Sequence, residues 1–194
     1  MNYFIKDFDK KSDIKYLSQI KELADEELSP GFVTESELSK IESGEYFCSF
    51  ATDENGKVCG ISFGRFIDKN ELASMLRCSY SEADLLFPND SVIAEHLGIA
   101  VRKDMRNLGI TGKLHERYKK TVFPKTNIII YGVWNRKGGE KICVTHLLRS
   151  GAVFIKTVPK FWYDNPLINC TLCKGRCTCD CDFYYINRKD WTYG

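Results

Sequence analysis

The sequence predicts an α/β protein built on one sheet of about seven strands with helices on its faces. Strand-like runs and amphipathic segments of helical spacing alternate along the chain in the order β-α-α-β-β-β-α-β-α-β-β. The run from Ile128 to Tyr131 is apolar throughout, as expected of a strand buried on both faces. The 194 residues, 43% hydrophobic and 28% charged, are sufficient for one large domain.

The first half of the chain predicts strands at 3–8, 46–51 and 58–66 and helices at 13–28 and 34–44. Ser12 is the expected cap of the first helix. Thr34 and Glu37 have the spacing of a capping box for the second. The pattern weakens after Asp68, where a helix at 71–79 is left open and is not counted in the element order.

The second half predicts strands at 94–101, 127–134, 152–158 and 182–187 and helices at 113–123, with an apolar stripe that begins just before it at Ile110, and at 140–150. In the first of these helices the apolar residues recur every fourth position, at Ile110, Leu114, Tyr118 and Val122. Because a helix repeats every 3.6 residues, these side chains form one stripe that should face the sheet. A polar turn is expected at 135–139.

The loop from Arg106 to Gly112 connects a strand to the start of a helix and contains two glycines. Glycine lets backbone N–H groups turn toward a ligand, and the helix dipole favours negative charge at that point. The pattern therefore predicts a site for phosphate or pyrophosphate. An ordinary connection between a strand and a helix also uses glycine, so this pattern alone leaves both interpretations open.

Charge and hydropathy exclude several classes of function. The net charge of +2 argues against a broad nucleic-acid surface. The N-terminus lacks a signal-peptide pattern, and no apolar run approaches the length of a membrane span. We therefore expect a cytoplasmic protein with no membrane partner, in which thiols stay reduced.

Five of the nine cysteines fall within twelve residues, at Cys170, Cys173, Cys177, Cys179 and Cys181. Cys-x2-Cys is a chelating turn, and four thiolates suit tetrahedral Zn²⁺. The first four form the most compact set, with Cys181 as an alternative ligand. An iron–sulfur cluster, disulfides and free thiols remain alternatives. The isolated cysteines, for which core packing is expected, are Cys48, Cys59, Cys78 and Cys143.

The element order and the glycine loop together resemble the GNAT superfamily of acyl-CoA-dependent N-acyltransferases. The signature of that family is Gln/Arg-x-x-Gly-x-Gly/Ala, and Arg106, Gly109 and Thr111 stand at its defined positions. Asn135 falls where the family often has an Asn after the fifth strand. The resemblance covers roughly residues 1 to 160 and the last strand. It implies a mixed, mostly antiparallel, twisted sheet of about seven strands flanked by four helices.

The resemblance also implies a donor substrate, acetyl-CoA, and a site that binds it. Backbone amides of the loop would hold the pyrophosphate, namely those of Arg106, Asn107, Leu108, Gly109, Ile110, Thr111 and Gly112. The edge of Ile99, Ala100 and Val101 would pair with the pantetheine arm, and Asn135 would hydrogen-bond to it. An amine of a small molecule or a peptide would then attack the thioester directly. Thr111 departs from the small residue of the signature, and its β-branch crowds the phosphate.

Glu95 and His146 are the candidate catalytic residues. Glu95 lies on the central strand, where several family members carry a base, and is expected to share a face with Leu97, Ile99 and Val101. Leu147 stands where the family often has a tyrosine general acid, so the adjacent His146 is the candidate proton donor. His96 is expected to be a structural histidine. His115 is expected to be solvated.

In the family, the connection between the last two strands forms one wall of the acceptor site. Here it would hold a cysteine-rich insertion at 168–182 within a single domain of residues 1–194. We expect a zinc ion to rigidify this wall, and Phe161, Trp162 and Tyr163 to line the pocket or to join the core. The alternative function is a scaffold with little catalysis, whose zinc segment binds a protein or nucleic acid. The sequence leaves a homodimer open.

Overall fold

The computed structural model describes residues 2–87, 90–135, 142–170 and 172–191. The strands are β1 (Tyr3–Asp7), β2 (Phe47–Asp53), β3 (Val58–Ile67), β4 (Ile93–Val101), β5 (Ile128–Asn135), β6 (Val153–Val158), β7 (Asn169–Cys170), β8 (Gly175–Arg176) and β9 (Asp180–Asn187). The helices are α1 (Leu17–Glu27), α2 (Glu35–Ser43), α3 (Lys69–Leu76), α4 (Tyr80–Leu86), α5 (Ile110–Val122) and α6 (Ile142–Arg149). Asn135, expected to begin the turn at 135–139, still belongs to β5, and the other residues of that turn and the side chain of Cys143 lie outside the described residues.

Seven strands form one sheet in the order β1-β2-β3-β4-β5-β9-β6. Every neighbouring pair is antiparallel except β4 and β5, which are parallel. The predicted fold class, a mixed and mostly antiparallel α/β sheet, is therefore confirmed. The parallel pairing runs only from Ile93 opposite Ile128 to His96 opposite Tyr131. Beyond His96 the two strands separate, so a gap opens in the middle of the sheet.

A β-bulge lies where this gap begins. The register of β3 against β4 changes from Phe63 opposite Gly98 to Gly64 opposite His96, which leaves Leu97 as an extra residue. The bulge shifts the alternation of side chains along β4, because Leu97 and Ala100 pack with α1 whereas Ile99 and Val101 pack with α5. The expectation that Glu95 shares a face with Ile99 and Val101 is therefore wrong.

Helices cover both faces of the sheet, since Phe50 packs against α1 and the next residue, Ala51, packs against α5. The predicted stripe of α5 is confirmed: each of its members is at most 1% exposed, namely Ile110, Leu114, Tyr118 and Val122.

Three details differ from the sequence-based expectations. The first helix begins with a turn of 3₁₀-helix, whose N-cap position is Asp13 and not the expected Ser12. The side chain of Asp13 does not cap the helix, because it is buried and forms an ion pair with Lys6. The stretch after Asp68 contains two short helices, so the described residues have six α-helices and not the expected four, because Asp68 and Ser79 each start a separate capping box. The cysteine segment adds the hairpin of β7 and β8.

Candidate active site

The loop before α5 exposes backbone donors. Asn107 and Gly109 have left-handed backbones, with φ of 64° and 78°. Gly109 is the N-cap of α5 and supplies no capping side chain, whereas α2, α3 and α4 all have capping boxes. The N–H groups at the start of α5 are thus left for a ligand, and the helix dipole favours an anion there.

Side-chain contacts hold this loop in place before any ligand arrives. Arg106 donates from Nε to the carbonyl oxygen of Val101 at 3.2 Å and forms an ion pair with Glu27 of α1. The hydroxyl of Tyr3 donates to the carbonyl oxygen of Leu108 at 3.0 Å. The Arg106 guanidinium therefore organises the loop, and the neighbouring Lys103 adds positive charge.

A cavity of about 310 Å³ occupies the gap between β4 and β5. On the α5 face it is lined by His96, Ile99, Thr111, His115, Tyr131, Val133, His146 and Leu147. On the α1 face it is lined by Glu27, Leu28, Phe32, Leu97, Gly98, Gly132, Trp134 and Trp162. The cavity therefore passes through the sheet and joins its two faces, and Thr111 brings it to the first turn of α5.

Three histidines line the α5 face of this cavity. Nε2 of His96 is 2.9 Å from the hydroxyl of Ser62, and Nε2 of His115 is 2.9 Å from the hydroxyl of Tyr131. Burial lowers the pKa of His96 to about 3 and lowers the pKa of His115 well below its ordinary value. Both rings are neutral at pH 7. The expectation that His115 is solvated is wrong: it is 2% exposed.

Among the described residues, Nε2 of His146 has no hydrogen-bond partner, unlike Nε2 of His96 and of His115. Within the described residues its buried Nε2 contacts no donor or acceptor. Its ring lies 5.0 Å from that of His115, measured between centroids. Burial lowers its pKa, and the nearby charge of Lys119 adds to the effect. The structure therefore places a neutral imidazole with a free nitrogen at the cavity wall.

Glu95 precedes His96 on β4 and faces the opposite side of the sheet. Its carboxylate accepts a hydrogen bond from Nε of Arg65 at 3.0 Å, and Arg65 also bonds Glu71 at 2.6 Å. Burial raises the pKa of Glu95, while Arg65 opposes that rise. Glu95 is not among the residues that line the cavity in the described part of the chain.

Asn135 ends β5 and is held by Asp182 on β9. The amide nitrogen of Asn135 lies 3.3 and 3.2 Å from the two carboxylate oxygens of Asp182, which also accepts from Thr157 at 2.7 Å. The amide of Asn135 is thereby oriented, and among the described residues no hydrogen bond is made to its side-chain oxygen.

Four of the five clustered cysteines come together. The sulfur atoms of Cys170, Cys173, Cys177 and Cys179 all lie within 4.8 Å of one another. With Zn–S bonds of about 2.3 Å, a tetrahedron of sulfurs has edges of about 3.8 Å, and Cys173 and Cys179 already lie 3.6 Å apart. Backbone N–H groups of Cys173 and Thr178 point at sulfur, the first at Cys170 and the second at Cys173. The donor set and its spacing fit Zn²⁺.

Hydrogen bonds and burial act differently on these thiols. The hydroxyl and the backbone N–H of Thr178 lower the pKa of Cys173 to about 6. Burial raises the pKa of Cys177 to about 12. Cys181 is separate from the cluster: it is fully buried in the core with Ile130 and Phe183. Cys48 and Cys59 are also core residues, as expected.

No protein-family model matches the sequence, and neither does any curated protein. Solved structures of similar fold are nevertheless numerous. NAA60 of Arabidopsis thaliana, solved with acetyl-CoA, superposes with a TM-score of 0.70 at 11% identity, over 97% of this chain and 99% of that chain. An N-acetyltransferase of Staphylococcus aureus Mu50 superposes with a TM-score of 0.62 at 13% identity, over 96% of this chain and 99% of that chain. The ribosomal-protein-S18-alanine N-acetyltransferase of Escherichia coli superposes with a TM-score of 0.60 at 11% identity, over 100% of this chain and 97% of that chain.

The chain therefore has the fold of the GNAT N-acetyltransferases, and the resemblance inferred from the sequence is confirmed at the level of fold. Within the described residues, no helix has both the length and the hydropathy that crossing a bilayer requires.

The sequence did not identify Tyr131, His115 or Trp134 as residues of the cavity. A usable signal existed for His115, because Thr111, His115 and Lys119 form a second row directly beside the apolar stripe of α5. For Tyr131 and Trp134 the sequence carries no such signal, since it does not show where β4 and β5 separate.

Proposed function

We propose that this chain is an N-acetyltransferase that transfers an acetyl group from acetyl-CoA to an amine, with residues 1–194 acting as one domain. The observation that carries the proposal is the cavity that begins at the uncapped start of α5 and passes through the gap between β4 and β5. A long donor molecule with an anionic end and an extended arm matches this shape. The fold shared with acetyltransferases supports the same donor.

In this proposal the pyrophosphate binds the amides of 106–112. Ile99, Ala100 and Val101 offer the edge of β4 that β5 has left, and the arm pairs with it as an added strand would. Asn135 accepts from the arm through the carbonyl oxygen that Asp182 leaves free. Each element of this assignment comes from the backbone or from a side chain whose position other contacts already fix.

Transfer proceeds by direct attack of the neutral amine on the thioester carbonyl. The new C–N bond forms, the C–S bond breaks, and the electron pair leaves with the sulfur of coenzyme A. Glu95, which does not itself line the described cavity and whose pKa burial raises against the opposing charge of Arg65, takes the amine proton through a chain of water molecules. His146 donates a hydrogen bond from its unpartnered nitrogen to the departing sulfur.

We also propose that Cys170, Cys173, Cys177 and Cys179 hold one structural Zn²⁺, with Cys181 outside the set. Four thiolates close the coordination sphere, so the ion would stabilise the segment without taking part in the chemistry. The cytoplasmic location and the homodimer stay predictions.

An assay of coenzyme A release distinguishes an active enzyme from the scaffold alternative. The protein is mixed with acetyl-CoA and a panel of amines that contains peptides with free N-termini, lysine-containing peptides and polyamines, and free thiol is measured. An enzyme releases coenzyme A with at least one amine faster than with none. A scaffold binds acetyl-CoA weakly or not at all and releases no thiol above the blank, which would contradict the proposal.

A further inference from the structure

The cysteine cluster and the cavity share three aromatic side chains. Phe32, Trp134 and Trp162 pack against the buried group of Ile168, Cys170, Cys177 and Cys179, and the same three line the α1 face of the cavity. The rings of Trp134 and Trp162 lie 4.5 Å apart at an angle of 33°. Any displacement of the cysteine hairpin would therefore move the cavity wall.

A second connection joins the cysteine segment to the loop after α1. The hydroxyl of Ser29, which is 1% exposed, donates to the carbonyl oxygen of Asn169 at 3.0 Å, one residue before Cys170. Gly31 has a left-handed backbone with φ of 78°, and a Cβ added there would lie 2.3 Å from the carbonyl oxygen of Leu167. Only glycine allows the two backbones to approach so closely.

Backbone amides of this loop donate hydrogen bonds, so the order of the loop can be measured by their hydrogen exchange. The amide of Gly31 donates to the carboxylate of Asp25 at 3.1 Å, and the amide of Phe32 donates to the carbonyl oxygen of Ser29 at 3.0 Å. The loop carries Phe32 into the cavity. It is otherwise a short connection between α1 and α2 that lies against the cysteine segment.

We propose that a Zn²⁺ ion bound by Cys170, Cys173, Cys177 and Cys179 fixes the α1 face of the cavity, and that this face is the wall for the acceptor amine. The name acceptor wall, used here for residues 29–32 with Trp134 and Trp162, rests on the proposed function. The donor loop at 106–112 is not connected to the cysteines by any of these contacts. Metal occupancy should therefore control the acceptor wall and leave the affinity for acetyl-CoA unchanged.

Hydrogen–deuterium exchange of the full-length zinc-loaded protein, before and after zinc removal with EDTA, tests this coupling. Without zinc, the amides of Ser29, Gly31 and Phe32 should exchange at least about tenfold faster, while those of Ile128–Tyr131 in β5 keep their rates. The dissociation constant for acetyl-CoA should stay within about threefold. Unchanged exchange at 29–32 would overturn the coupling, as would an equal increase in β5.

A pair of glycine variants provides the matched control. Gly31→Ala places a Cβ against Leu167, whereas Gly44→Ala imposes the same left-handed strain, at φ of 85°, with nothing within 4 Å. Because coupling between two sites is reciprocal, Gly31→Ala should weaken zinc binding about tenfold in a chelator competition, and Gly44→Ala should not. Equal zinc affinities would contradict the proposal. If Gly31→Ala does not fold, the exchange experiment on the wild-type chain decides.

Two further outcomes separate this inference from the proposed function. A protein that takes up no zinc after reconstitution overturns the metal centre. A zinc-loaded protein that binds no acetyl-CoA overturns the proposed function and with it the name acceptor wall, although the exchange result still decides whether the metal holds residues 29–32.

Discussion

Gly109→Ala should separate the binding role of the loop before α5 from its contribution to stability. Gly109 and Gly56 have nearly the same left-handed backbone, with φ of 78° and 76°, and a Cβ added to either would meet nothing within 4 Å. A left-handed backbone costs a residue with a Cβ about 1–2 kcal/mol. Gly109→Ala and Gly56→Ala should therefore each lower the melting temperature by about 2–8 °C.

Only Gly109→Ala should lose affinity for acetyl-CoA. To relieve its strain, the backbone must turn at the N-cap of α5, which rotates the N–H groups of the first helical turn away from the pyrophosphate. Losing one hydrogen bond to a charged group removes about 1.5–3 kcal/mol, which weakens binding about 10- to 150-fold. Thermal unfolding and calorimetric titration of both variants measure the two effects. Unaltered affinity in Gly109→Ala, or an equal loss in Gly56→Ala, would show that the N–H groups at the start of α5 do not bind the pyrophosphate.

Three further predictions concern the interior. His96 is neutral when folded, with its pKa lowered to about 3, so the unfolded state takes up a proton below pH 6.5. As the pH drops below 6.5, this group should lower the free energy of unfolding by up to about 1.4 kcal/mol per pH unit. Denaturant unfolding at pH 7 and pH 5 should therefore show a smaller loss of stability in His96→Gln than in the wild-type chain. Cys181→Ala should cost about 1 kcal/mol and leave the zinc content unchanged; loss of zinc would place Cys181 among the ligands. Leu114→Ala, in the fully buried stripe of α5, should lower the free energy of unfolding by about 2–5 kcal/mol, and a smaller loss in urea unfolding would argue against this packing.

The fold was largely predictable because its signals are local. The spacing of Leu114 and Tyr118 along α5 and the capping box of Thr34 depend on neighbours in sequence, and both predictions are confirmed. The two capping boxes at Asp68 and Ser79 are equally local signals, and the expected total of four helices is wrong because it takes neither into account.

The parts of the site that sequence reasoning missed depend on long-range pairing. The bulge at Leu97 reverses the faces of Ile99 and Val101, and only the register against β3 reveals it. Trp134 reaches the cavity because β5 separates from β4 beyond Tyr131, a property of two strands that no single stretch of sequence encodes. The spacing of the cysteines, by contrast, was sufficient to indicate a four-thiol group.

Calorimetric titration of the zinc-loaded wild-type chain with acetyl-CoA shows whether the loop before α5 and the cavity bind this donor. We expect saturable binding of one molecule per chain, with a dissociation constant in the usual range of enzyme KM values, about 1 µM to 1 mM. Acetyl-CoA at about 100 times that constant should also stabilise the fold by about 2.7 kcal/mol. Absence of both binding heat and thermal stabilisation at millimolar acetyl-CoA would contradict the assignment of the α5 loop and the cavity to this donor.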